Sequence, residues 1–155
     1  CNDLQRELDY EHIPYVNICP EHTNITEQTR VNRIKQAAKI NNSFCVSIYT
    51  GTNERSGVRI IGNTRPHSEH IGELLYEEMS INMDGWQMPV EKVCYELEHE
   101  HAILMKPKCP SFVIYAGSVD LYYDYSRMFN IQFQESLVGA LFNTIQTICQ
   151  KYDHD

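Results

Sequence analysis

The chain has 155 residues, 42% of them hydrophobic and 22% charged, and carries a formal net charge of −8. That length suits one domain with a core of its own, and the composition excludes a disordered or low-complexity polypeptide. Acidic residues in excess, with no cluster of Lys or Arg, leave no basic footprint for a nucleic-acid partner.

Six cysteines, none of them in a CxxC pair, point to disulfides in an oxidising compartment rather than to zinc or thioredoxin-type chemistry. No apolar run approaches the ~20 residues that cross a bilayer. Residues 1–23 hold Pro14, Pro20, Cys1 and Cys19 with only a weak Leu4, Leu8, Ile13 periodicity, which reads as a linker or short amphipathic helix at a membrane-proximal end. Residues 24–155 are expected to form a single globular domain.

Asn24 or Thr26 can cap a helix whose Val31, Ile34 and Ala38 share a face, while Arg30, Arg33, Lys35 and Lys39 form a solvated one. Phe44, Val46 and Ile48 alternate with polar residues as a strand does; Val58, Ile60 and Ile61 follow a turn between Gly51 and Gly57, which suggests a hairpin. Ser68 can cap a second helix through Ile71, Leu74, Leu75 and Met79. Val93, Tyr95 and Leu97 begin a third strand expected to run to Met105.

The run from Cys109 to Tyr125 is the richest in β-formers. Phe112 to Ala116 is apolar throughout, as in a strand covered on both faces; Gly117 marks a bulge or a close backbone approach. Beyond it Val119, Leu121, Tyr123 and Tyr125 alternate with Ser118, Asp120, Tyr122 and Asp124, which extends the strand to residue 125. Gln134 to Lys151 makes a last helix with Leu137, Leu141, Ile145 and Ile148 on one face. This element order suggests an α+β domain: an antiparallel sheet of about four to five strands with helices packed on it, in a PAS-like order.

His67 and His70, three apart, and His99 and His101, on one face of the third strand, lack an identifiable third ligand, so neither pair is read as a metal site. Hydrolase, phosphate-binding and metalloprotease motifs are absent, and the cysteines read as bridge partners, so neither catalysis nor a cofactor is expected.

Cys109-Pro110, Ile114-Tyr115-Ala116-Gly117, the aromatic end Tyr122-Tyr123-Asp124-Tyr125 and Ile148-Cys149 in the last helix together resemble the periplasmic domain of the T-even bacteriophage holins, the T holin family. The resemblance implies a regulatory domain on the periplasmic face of the host inner membrane, tethered by a single transmembrane helix outside this chain. Such a domain times membrane permeabilisation and lysis by self-association, and a periplasmic antiholin binds it for lysis inhibition. It also implies a disulfide between Cys109 and Cys149, and leaves the pairing of Cys1, Cys19, Cys45 and Cys94 open. The acidic, tyrosine-bearing side near Asp120, Tyr122 and Asp124 is the expected partner surface. The alternative reading is an extracytoplasmic PAS-like ligand sensor of a signalling receptor.

Overall fold

The computed structural model describes residues 2–18, 25–40, 43–52, 55–97 and 101–152. The opening segment is a helix, α1 (Asn2–Tyr10), whose buried Leu8 packs it on the last helix, so it belongs to the fold. Helix α2 (Glu27–Ala37) starts where Thr26 Oγ1 accepts the Thr29 N–H at 3.2 Å, with Glu27 at the positive end of the dipole. Then come β1 (Cys45–Gly51), β2 (Arg59–Asn63), α3 (Ser68–Asp84), β3 (Cys94–Glu96), α4 (Ala102–Met105), β4 (Ser111–Ser118), α5 (Tyr122–Met128) and α6 (Ile131–Tyr152).

The sheet runs β1-β4-β2-β3 and is mixed: β1 is parallel to β4, β2 antiparallel to β4, and β3 parallel to β2. The antiparallel, PAS-like expectation is therefore overturned, and the architecture is α/β. No hairpin joins β1 to β2, because β4 lies between them. The physical reason is in β4, whose Phe112–Ala116 run is apolar on both sides and is covered by helices on both, as strands of parallel sheets are. Phe112, Ile114 and Ala116 point to α3 and α6 with Ile71, Leu75, Met79, Phe133 and Leu141. Val113 and Tyr115 point the other way, where Ile34 of α2 and Ile103 and Leu104 of α4 cover them. Each fully buried Leu, Ile or Phe contributes roughly 1.5–3 kcal/mol by leaving water, which is what keeps both helix layers on the sheet.

Two further expectations change. The third strand is only three residues long, and α4 occupies the place where it was to continue, while residues 98–100 lie outside the described residues. β4 stops at Ser118 rather than at residue 125. A Cβ on Gly117 would meet Met88 Cε at 2.9 Å and Met128 Sδ at 3.2 Å, so the missing side chain lets α5 fold back onto the strand's end. Asp124 pins that return. Its carboxylate is wholly buried and accepts the N–H groups of Gly57 and Ser118, both at 3.0 Å, and the Ser56 hydroxyl.

Asn63 does the same at the opposite end of the sheet. Buried at the end of β2, it donates to the carbonyls of Leu104 (3.1 Å) and Cys109 (3.0 Å). Its Oδ1 accepts the Ser68 hydroxyl at 2.7 Å and the Ser111 N–H at 3.2 Å. One side chain thus joins β2, the start of α3, the end of α4 and the start of β4. No described helix is long and apolar enough to cross a membrane.

Candidate functional site

Ligands of open α/β sheets gather outside the carboxyl ends of the parallel strands. In the carboxyl-terminal halves of β1 and β4 two tyrosines stand opposite one another in register, Tyr49 and Tyr115, with ring centroids 6.2 Å apart. His101, the residue just before α4, stacks on Tyr49 at 5.2 Å between centroids and 23° between planes. Its Nε2 lies 2.6 Å from the Tyr115 Oη, so the two share one hydrogen. Arg59, opposite Tyr115 on β2, holds its guanidinium 4.9 Å from the Tyr115 ring centroid, a cation over a π face.

A cavity of about 280 Å³ opens over this cluster, lined by Tyr49, His101 and Ile103 on the sheet side and by Glu27, Arg30 and Ile34 of α2. Arg30 and Tyr49 also line an adjoining, mostly apolar cleft of about 480 Å³ between β1 and the segment after α1, with Leu8, Ile13, Val46 and Leu141 among its walls. At their junction the Arg30 Nε is buried without a hydrogen-bond partner. A buried donor left unpaired costs about 1–3 kcal/mol. The α2 face expected to be solvated is thus partly an inner wall, and the neighbouring Arg33 is committed as well, donating from Nη1 to the Ile18 carbonyl at 3.1 Å.

Three groups can act chemically here: the linked imidazole and phenol, which can pass a proton between them, and the arginine facing the cavity. None of the cavity-lining residues is a serine or cysteine. Among the described residues no three His, Cys, Asp or Glu side chains converge as a metal-binding group. His67 and His70 sit at the start of α3, with His70 Nε2 3.4 Å from Lys151 Nζ; His99 lies outside the described residues.

The residues singled out from sequence are dispersed. Tyr122 stands 79% exposed on α5 and Asp120 is exposed in the preceding turn, but Asp124 is 0% exposed and occupied by backbone donors. Cys109 faces α2 and α4, with its sulfur 3.7 Å from that of Cys45. Cys149 lies on α6, in the layer across the sheet, next to Ile148, which packs on the opposite face. Tyr49, Arg30 and Arg59 were not singled out, and Tyr115 read as core. The available signal was that Tyr49 and Tyr115 each lie in the carboxyl-terminal half of a predicted strand.

No protein-family model and no curated protein matches the sequence. Solved structures do match. The chain is similar to the N-acetylmuramoyl-L-alanine amidase AmiC2 of Nostoc punctiforme, with 15% identity over 96% of this chain and 79% of that one, at a TM-score of 0.77. It is similar to the CwlD amidase of Clostridioides difficile, solved in complex with the GerS lipoprotein (17% identity, 97% and 82% covered, TM-score 0.71). The catalytic domain of CwlV, an N-acetylmuramoyl-L-alanine amidase from Bacillus (Paenibacillus) polymyxa var. colistinus, follows at 14% identity, 96% and 83% covered, TM-score 0.70.

At such identities the likeness is one of fold. It overturns the T holin resemblance, and with it the lysis timing, antiholin binding and holin self-association that the resemblance implied. The PAS-like sensor falls for the same reason. The expectation of a non-enzymatic module is also withdrawn, since the shared fold is that of amide-cleaving enzymes.

Proposed function

We propose that this chain is a peptidoglycan-directed domain of the amidase type, which engages the amide joining the muramoyl sugar to its peptide stem. The observation that supports this reading best is the cavity lined by Tyr49 and His101, with Tyr115 hydrogen-bonded to His101, toward the carboxyl ends of the parallel strands of an amidase-like fold. In this reading the Arg30 guanidinium on the cavity wall takes a stem carbonyl or carboxylate as a charge-assisted hydrogen bond. The apolar cleft beside it receives the stem's alanine methyl groups. His101 and Tyr115 form the acid–base pair next to the amide, one able to accept a proton while the other returns it. A peptidoglycan ligand requires this work to take place outside the cytoplasmic membrane, which agrees with the oxidising compartment inferred from the cysteines.

The test combines binding and turnover. Titration calorimetry with N-acetylmuramoyl-L-alanyl-D-isoglutamine is expected to show saturable binding that weakens roughly tenfold, about 1.4 kcal/mol, in His101→Ala and in Arg30→Gln. Mass spectrometry of purified sacculi incubated with the chain is expected to show freed stem peptides, lost in the same variants. Absence of both binding and release refutes the proposal.

A further inference from the structure

We infer that Cys45 and Cys109 form a disulfide that bolts β1 to β4 at the end of the sheet opposite the tyrosine cluster. The two sulfurs lie 3.7 Å apart and are buried together in the small core under α2 and α4, among Ile34, Leu104 and Val113. Their backbones are already fixed: the Cys45 N–H donates to the Pro110 carbonyl at 2.9 Å, and the Cys109 carbonyl accepts Asn63 Nδ2 at 3.0 Å and the Ser111 hydroxyl at 3.2 Å. An S–S bond is ~2.05 Å long, so the sulfurs need only about 1.7 Å of further approach, which falls to the two side-chain torsions. Neither cysteine lines the cavity at the other end of the strands.

The thiols are also arranged for the exchange. The two sulfurs share a hydrogen, and that contact holds the Cys109 thiol below its ordinary range. The same contact, together with burial, pushes the Cys45 thiol up. The oxidant is a protein disulfide of the extracytoplasmic compartment. The Cys109 thiolate attacks one of its sulfurs, forming a mixed disulfide and expelling the other as a thiolate. Cys45 then gives up its proton and attacks the Cys109 sulfur, which releases the oxidant's remaining sulfur as a thiolate. The chain loses two electrons and two protons, and the oxidant gains them as two thiols. Both sulfurs are closed off from solvent in the folded chain, so the exchange occurs while β1 and β4 are pairing. Once formed, the bond fixes the register that sets Tyr49 opposite Tyr115.

The experiment is non-reducing peptide mapping of the whole chain refolded in a glutathione redox buffer with a protein disulfide oxidase. The expected result is one cross-linked species containing the Cys45 and Cys109 peptides, two hydrogens lighter than the reduced pair. Reduction is expected to lower the melting temperature by about 10 °C. Cys149→Ser is expected to keep both the cross-link and the melting temperature. Cys45→Ser should melt with the reduced wild type; if it fails to fold, the wild-type map alone decides. Recovery of Cys109 linked to Cys149, or alkylation of both Cys45 and Cys109 in the unreduced, denatured chain, overturns the inference.

Discussion

Replacing Asn63 with alanine should be among the most damaging changes of a single side chain, and its size can be worked from the contacts. The substitution removes two donated and three accepted hydrogen bonds, the third accepted from the Arg65 N–H at 3.4 Å. The Cys109 carbonyl keeps the Ser111 hydroxyl as a partner. The Leu104 carbonyl, the Ser68 hydroxyl and the Ser111 N–H lose the Asn63 bond with little to replace it. At about 1–3 kcal/mol for each buried group left unpaired, and allowing for some relaxation, the loss is roughly 3–5 kcal/mol. For a chain of this length that is about 10 °C in melting temperature. Asn63→Asp is a sharper version: a carboxylate can still accept from Ser68 and Ser111 but cannot donate to Leu104 or Cys109, and it is a buried charge, so it should do no better than alanine. Urea denaturation followed by circular dichroism measures both. A loss under ~1 kcal/mol for Asn63→Ala would show that the four elements are held together without it.

Other expectations follow from the same reasoning. Asp124→Ala should cost roughly 3 kcal/mol by orphaning the Gly57 and Ser118 amides, whereas Tyr122→Ala, at an exposed position, should stay within about 0.5 kcal/mol; equal effects in thermal melts would contradict the burial described. Gly72→Ala gains helix propensity, but its Cβ would collide with the Tyr95 hydroxyl, which donates to the Glu69 carbonyl at 3.1 Å. A net loss of about 1–2 kcal/mol is expected in denaturant titrations. Tyr115→Phe removes the partner of His101 Nε2 and leaves the ring packing in place, so it should lower turnover of sacculi by at least ~100-fold while changing muropeptide affinity less than threefold; unchanged turnover would remove Tyr115 from the acid–base pair.

Much of the local structure was legible in the sequence. The Thr26 cap, the Ile71–Leu75–Met79 face of α3 and the Leu137–Leu141–Ile148 face of α6 carry helical spacing, and Phe112–Ala116 announces a strand covered on both sides. Strand pairing was not legible. Alternation in Phe44–Ile48 and in Val58–Ile61 says that each is a strand but not that β4, some fifty residues on, will separate them. The alternation from Ser118 to Tyr125 misled for a related reason: Leu121, Tyr123 and Tyr125 mimic a strand face, while the pull of Asp124 on the Gly57 and Ser118 amides, which curls this stretch into a helix, is a tertiary effect. The candidate site was hidden because its members come from β1, β2, β4, α2 and the residue ahead of α4. Only the assembled sheet brings Tyr49, Arg59, His101 and Tyr115 to one place.

The position of β1 has a practical bearing on handling. Among the described residues it is paired on one side only, and it turns Ile48, 40% exposed, toward an apolar cleft. Seven residues of open ladder are a template on which another molecule's strand can deposit. Concentrated stocks of this chain should therefore cloud with fibrous, thioflavin-positive material well below the melting point, and a lysine in place of Ile48 should keep them clear.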